Sequence, residues 1–173
     1  MRQKRLLVDM DGVMADPLAQ YLRMHEREHG RRLDVASIVG KPEMEAFPDA
    51  VRFVTTPGFF RGLPVMEGCV EVVAQLNARY ELFVVSAAME YPTSLAEKHA
   101  WLEEHFSFLG WRQFVFCGSK TVVRGDIMID DHFKNLDYFE GRTLLFTQPH
   151  NQLSDAGRHE RVVSWADVAR LLL

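Results

Sequence analysis

Five short apolar runs recur along the chain, at Leu6 to Val8, Leu82 to Val85, Phe114 to Phe116, Ile127 to Ile129 and Thr143 to Phe146. Each is continuous rather than alternating, the pattern of strands covered on both faces in a parallel sheet. Helical periodicity lies between them. Cys69, Val72, Val73 and Leu76 follow the i, i+3, i+4, i+7 spacing of one buried helix face that starts near Pro64 and Gly68. Ser94 with Glu97 three residues later predicts a capping box, and a second helix with Leu95, His99, Leu102 and Phe106 along one side. A terminal helix is predicted from Ser164 and Asp167 as caps, with Val168, Leu171 and Leu172 facing inward. Strands alternating with helices imply an α/β doubly wound domain, a parallel sheet flanked by helices.

The stretch from Pro17 to Val65 breaks that alternation, since it carries no convincing strand. Tyr21, Leu22, Met24 and His25 suggest an amphipathic helix, and Gly30, Gly40, Pro42, Pro48, Pro57 and Gly58 punctuate the rest. The expected organisation is a core built from residues 1–16 and 66–173, with residues 17–65 forming a small helical cap inserted after the first strand. With 173 residues, 47% of them hydrophobic, the chain can bury one substantial core. A net charge of -4 without a basic stripe argues against a nucleic-acid polymer as partner but not against a single nucleotide. Cys69 and Cys117 sit in apolar stretches and read as small core hydrophobes suited to a reducing compartment. Only three apolar residues separate Arg5 from Asp9, too few for a signal peptide or a membrane span, so a soluble, cytoplasmic protein is expected.

The chemistry concentrates at strand ends. Asp9-Met10-Asp11-Gly12 follows Leu6-Leu7-Val8 directly, and Asp130-Asp131 follows Ile127-Met128-Ile129. In open α/β sheets ligands bind beyond the carboxyl ends of the strands, so these acids should meet in one crevice. Two acids one residue apart can divide phosphoryl transfer, Asp9 attacking phosphorus and Asp11 giving a proton to the leaving oxygen. Carboxylates so close repel unless a cation joins them, and Mg²⁺ takes such oxygen ligands together with a substrate phosphate. Ser86 closes the second strand, and with the backbone N–H groups beyond it, where Ala87 and Ala88 offer little obstruction, could bind phosphate oxygens. Lys120 would offset the crowded anions. Taken singly, each of these residues has an ordinary reading as a turn acid, a helix cap or a surface lysine; their order carries the signal. Lys98 is expected on a solvated helix face. His132, His150 and Asn151 follow strand ends as weaker candidates.

The order Asp-x-Asp, Ser, Lys, Asp-Asp resembles the haloacid dehalogenase (HAD) superfamily, which implies an HAD-like Rossmannoid sheet. Four segments narrow the resemblance to the 5'(3')-deoxyribonucleotidase family: Asp9 to Asp16, Pro57-Gly58-Phe59-Phe60-Arg61-Gly62-Leu63, Glu97-Lys98-His99-Ala100-Trp101, and Lys120 to Val123 with Asp126 to Asp131. The resemblance implies magnesium-dependent hydrolysis of a nucleoside monophosphate through an aspartyl-phosphate on Asp9, with Asp11 as general acid and then general base. It implies metal binding by Asp9, the backbone carbonyl of Asp11 and Asp130, with Asp131 behind them, and phosphate binding by Ser86 and Lys120, to which the strand-end reading adds Ala87. Phe60 is the expected substrate contact; Phe47, Phe59 and Tyr21 are further stacking surfaces for a base.

The chain departs from the animal members in having Pro17 where they carry an aromatic, Ser86-Ala87-Ala88 where they have Thr-Ser-Pro, and Glu90 near a position that is basic in them. A Phe-Trp pair of their cap has no counterpart. These departures touch the base-binding half and keep a second reading open, an HAD phosphatase acting on a sugar phosphate or another small metabolite. A receiver-type phosphoacceptor module uses similar residues but in a different order and without a cap. The oligomeric state, including a homodimer, stays open.

Overall fold

In the computed structural model, which describes residues 2–173, the five apolar runs form strands β1 (Arg5–Val8), β2 (Glu81–Ser86), β3 (Phe114–Phe116), β4 (Ile127–Asp130) and β5 (Arg142–Phe146). A sixth strand, β6 (Glu160–Val162), has no counterpart among those runs, because only Val162 of its three residues is buried. All pairings are parallel and the order is β3-β2-β1-β4-β5-β6. The winding therefore reverses between β1 and β4. That is the switch point at which open α/β sheets leave a crevice, and Asp9 and Asp130 stand at its rim.

Alternate strand residues point to opposite faces. Leu6, Val8, Leu82, Val84, Ile127 and Ile129 join the larger cluster beneath the helices α4 (Cys69–Arg79), α5 (Ser94–His105) and α7 (Trp165–Leu172). Leu7, Val85, Met128 and Leu145 pack on the other face with Leu136 of the short helix α6 (Phe133–Leu136) and with Phe139. Both faces are thus covered, the physical reason the strands are apolar without alternation. α4 buries the four residues its spacing predicts, Cys69, Val72, Val73 and Leu76. α7 is capped as expected: Ser164 Oγ accepts from Asp167 N (3.3 Å), and the Asp167 carboxylate accepts from Val163 N (3.0 Å).

α5 differs from its sequence reading. Its N-cap is Thr93, without a side-chain cap bond, and no capping box forms. Ser94 Oγ donates instead to Ala88 O (3.2 Å), while Glu97 turns outward to another segment. The buried side of the helix is Ser94, Lys98, Trp101 and Leu102, not the face through Leu95 and His99. Tertiary partners for Glu97 and Lys98 outweigh the local capping preference.

Between β1 and α4 the chain forms α1 (Pro17–His29), a short 3-10 turn (Val35–Ile38), α2 (Glu43–Ala46) and α3 (Ala50–Val54), with no strand among the described residues. Asp16 starts α1 by accepting from Ala19 N (2.9 Å), and Pro17 fits its first turn, where no intrahelical N–H bond is lost. Gly30 ends it at φ 64°. Tyr21 gathers the aromatic residues of this segment, its ring centroid lying 5.0 Å from those of Phe47 and Phe59. Among the described residues no helix is long and apolar enough to cross a membrane.

Candidate active site

The loop after β1 is held before it reaches the crevice. Met14 N and Ala15 N both donate to Met10 O (2.9 Å), Asp16 N to Pro64 O (2.8 Å) and Met66 N to Met14 O (2.8 Å), so the loop is stitched to the segment leading into α4. Gln148 Nε2, after β5, donates to Gly12 O (2.6 Å) and Trp165 Nε1, at the start of α7, to Val13 O (2.8 Å), fixing the loop from the C-terminal segments as well. Gly12 has φ +75°, and a Cβ placed there would lie 2.2 Å from Asp131 Oδ2. Glycine is needed at this position both for the turn and to let Asp131 approach.

Four carboxylates meet at this point. Asp9, Asp130 and Asp131 are buried and each offers an oxygen within 4.8 Å of the others. Lys120, itself buried, places Nζ 2.5 Å from Asp9 Oδ1 and 2.7 Å from Asp130 Oδ2. Asp9 Oδ1 also accepts from Met10 N (2.7 Å). Asp130 accepts from His132 N (2.9 Å) and from Asn135 Nδ2 (3.0 and 3.1 Å), so it is oriented on every side. Burial first, and then Asp130, Asp131 and Asp11, push the Asp9 carboxyl well above the carboxylate range against the opposing pull of Lys120. Burial and Asp130 push Asp131 up to about 8. Burial alone would lower Lys120, but Asp130 and Asp9 more than reverse it and hold the ammonium form.

Lys98 is the correction of largest consequence. Expected in solvent, it is 3% exposed, donates 3.0 Å to Ser86 Oγ and pairs with Asp11 Oδ2. Ser86 is itself 1% exposed at the end of β2. Lys98 thus connects the two residues assigned to proton delivery and phosphate binding. Its Nζ also lies 4.6 Å from the centroid of the Phe60 ring, close enough for a cation–π contact. Nothing in a single lysine on a helical pattern marks it as buried; its spacing of four from Ser94 and three from Trp101 is the one usable signal.

The carboxylates and ammonium groups do not balance. With all four carboxylates ionised, Lys98, Lys120 and the His150 ring 3.8 Å from Asp131 would still leave an excess of negative charge, and burial together with that excess is what raises Asp9 and Asp131. Two buried oxygens, Asp11 Oδ1 and Asp131 Oδ1, have no hydrogen-bond partner. A hard divalent cation among Asp9, Asp130 and Asp131 answers both the excess charge and the cluster of oxygen donors. Asp131, expected behind the metal ligands, shares the 4.8 Å cluster of carboxylate oxygens with Asp9 and Asp130.

His132 and His150 stack with centroids 4.4 Å apart and planes 16° apart. His150 Nδ1 lies 3.2 Å from Glu43 Oε1, and Nε2 donates to Asp131 O (3.0 Å). Burial disfavours its charge, yet Glu43 and Asp131 raise it to about 9, while burial and His150 lower His132 to about 4. Asp131, His132 and His150 form a second group close enough to share an ion, but nearly parallel rings aim their in-plane lone pairs side by side rather than at one point. Asn151 is structural: its Nδ2 donates to Asp131 O and Phe146 O, both at 2.8 Å.

Above the acids opens a cleft of about 240 Å³ in which Asp9, Asp11, Lys98 and Lys120 form the floor. Tyr21, Phe59, Phe60 and Tyr91 supply an aromatic wall, and Ala87, Glu90, His132 and Asn135 line the remainder. Phe47 lies outside this cleft, stacked under Tyr21 and lining a narrower neighbouring cavity.

Known proteins resemble the chain in the same terms. The family described as 5' nucleotidase, deoxy (pyrimidine), cytosolic type C protein (NT5C) matches residues 3–173. A Bacillus subtilis protein named 5'(3')-deoxyribonucleotidase is 35% identical over 174 residues, covering 99% of each chain. A Staphylococcus epidermidis protein provisionally given the same name is 39% identical over 172 residues, covering 97% of this chain and 95% of the relative. Among solved structures, a haloacid dehalogenase-like hydrolase from Streptococcus pneumoniae superposes with TM-score 0.67 over 99% of both chains; at 12% identity the likeness is one of fold.

Proposed function

Since the chain belongs to the cytosolic type C 5'-nucleotidase family (NT5C), we propose that it is a 5'(3')-deoxyribonucleotidase-like phosphomonoesterase. Its substrates on this reading are (deoxy)ribonucleoside monophosphates, cleaved through an aspartyl-phosphate on Asp9. The observation that carries the reading is the bridging of Asp9 and Asp130 by Lys120 at the switch point, beneath a cleft with an aromatic wall.

Each residue has a distinct task. Asp9 attacks phosphorus as the ester P–O bond breaks, and Asp11 gives its proton to the departing sugar oxygen. Asp11 then takes a proton from water, which attacks the aspartyl-phosphate, releasing inorganic phosphate and regenerating Asp9. Lys98 holds Asp11 in place and keeps Ser86 Oγ oriented, and Ser86, Ala87 and Lys120 receive the phosphate oxygens. Phe60 and its aromatic neighbours stack on the base. Residues 17–65 act as the cap that supplies Tyr21, Phe59 and Phe60 of that wall, Tyr91 coming from the core segment before α5. Asp9, Asp130, Asp131 and the carbonyl of Asp11 would hold Mg²⁺, which supplies positive charge opposite the transferring phosphoryl oxygens.

The test is phosphate release in MgCl₂ from a panel of 5' and 3' nucleoside monophosphates beside sugar phosphates. Deoxynucleoside monophosphates are expected to turn over fastest. Ready cleavage of sugar phosphates with none from any nucleotide would replace this reading with that of a small-metabolite phosphatase.

Metal binding has its own readout. Asp131 rises from its ordinary 3.8 to about 8 in the fold, so the folded chain holds a proton that the unfolded chain releases. The stability from that proton is complete below about 4 and is lost as pH climbs to about 8. A cation that binds the ionised cluster restores what is lost. Thermal melts in MgCl₂ and in EDTA should therefore differ more at pH 8 than at pH 5.5; an equal or smaller gap at pH 8 would remove the cation from these carboxylates.

A further inference from the structure

Helix α5 grips the loop that forms the aromatic wall, and it does so with one acidic residue above all. Glu97 Oε1 accepts from Gly58 N (2.6 Å), and Oε2 accepts from both Phe60 N and Arg61 N (3.0 Å each). A carboxylate that gathers three backbone N–H groups is a strong, directional anchor, each bond being charge-assisted. The same stripe of the helix continues at the i+4 and i+7 positions: Trp101 Nε1 donates to Leu63 O (2.8 Å), and Glu104 pairs with Arg61. The next residue after Glu97 is Lys98, which reaches Asp11 and Ser86. One rigid element thus holds the wall with one stripe and the reacting groups with the adjacent one. Phe60 is where the two meet, its amide on Glu97 and its ring 4.6 Å from Lys98 Nζ.

We propose that Glu97 is a positioning residue that sets the aromatic wall and with it the preference for a base-bearing phosphate ester over a base-free one. This rests on the nucleotide reading above. Glu97 lines no part of the cleft and touches no reacting atom; it acts through the Gly58–Arg61 backbone. Its loss should loosen the surface against which a base stacks and leave the carboxylates and Lys120 where they are.

The test compares Glu97→Ala and Glu97→Gln with the wild-type chain on two substrates, 2'-deoxynucleoside 5'-monophosphates and 2-deoxyribose 5-phosphate. Misplacing a binding surface by an ångström is a change that costs up to about a hundredfold. Glu97→Ala is expected to lower kcat/KM for the nucleotide about ten- to a hundredfold, mainly through KM, and to shift it for the base-free ester by less than about threefold. Glu97→Gln keeps one oxygen for Phe60 and Arg61 and should fall between, which also serves if the alanine variant folds poorly. Hydrogen exchange at the Phe60 and Arg61 amides should quicken in step with the loss of nucleotide preference. A proportional fall on both substrates, or an unchanged preference, overturns the role of Glu97 alone. A wild-type chain without preference for the nucleotide overturns the nucleotide reading first and this proposal with it.

Discussion

Replacing Asp9 with asparagine is expected to lower phosphate release from a nucleoside monophosphate by about a thousandfold or more, with the fold intact. The amide is nearly isosteric and can still accept from Met10 N, and Lys120 keeps Asp130 as its partner. What is lost is the anionic oxygen that bonds to phosphorus, for which no nearby group substitutes: Asp11 is engaged by Lys98 and Asp130 by Lys120, His132 and Asn135. Stability should move the other way. Burial and three neighbouring acids raise the Asp9 carboxyl in the fold, and a raised carboxyl costs stability progressively as pH climbs from its ordinary value through its folded one. The neutral variant escapes that cost, so in EDTA at pH 8 its melting temperature should equal or exceed that of the wild type. Steady-state phosphate release with parallel thermal melts decides the matter. Retention of even a tenth of wild-type activity would remove Asp9 as the nucleophile.

The fold could be read from the sequence to the extent that hydrophobic pattern and burial coincide. β1 to β5 are continuous apolar runs because helices or loops cover both sides of the sheet, and α4 shows its buried face at helical spacing. β6 escaped because its neighbour on one side is solvent: Glu160 is exposed and spends its charge on Arg142 (2.6 and 2.8 Å) rather than on the core. The aspartates, Ser86 and Lys120 were legible because their roles depend on strand ends, which a one-dimensional pattern can locate. Lys98 and Glu97 were not. Each sits on α5 with a side chain whose ordinary place is water, and each is claimed by a segment 36 to 87 residues distant, Lys98 by Asp11 and Glu97 by the Gly58–Arg61 backbone. Pairing over such a separation leaves only the faint trace of Lys98's helical spacing from Ser94 and Trp101, and the apparent capping box at Ser94 points the wrong way. Asn135 and Gln148 fall in the same class, both polar residues whose value comes from Asp130 and Gly12 respectively.

Lys120→Met should damage stability and catalysis together, because one ammonium group serves both. The variant keeps the length and apolar stem of the side chain but leaves Asp9 and Asp130, 6% and 0% exposed, without the countercharge that stands 2.5 and 2.7 Å away. Removing one partner from a buried ion pair typically costs about 3 to 5 kcal/mol, and losing one preorganised donor to a transferring group costs about a hundred- to a thousandfold in kcat. The pH dependence distinguishes this cause from a mere packing defect. Asp130 and Asp9 raise Lys120 above its ordinary 10.5, so in the wild type its contribution persists across the neutral range and fades only in strong base. In the variant Asp9, which burial and neighbouring acids already push upward, loses the opposing pull of Lys120 and takes up a proton more readily, so the deficit should shrink as pH falls toward 5. Magnesium should shrink it as well, since a cation at the same oxygens replaces part of the missing charge. Urea denaturation in EDTA and in MgCl₂ at pH 5.5 and 8, beside steady-state kinetics, separates these terms. A loss of stability independent of both pH and magnesium would mean that Lys120 serves as packing and that the countercharge of Asp9 and Asp130 comes from elsewhere.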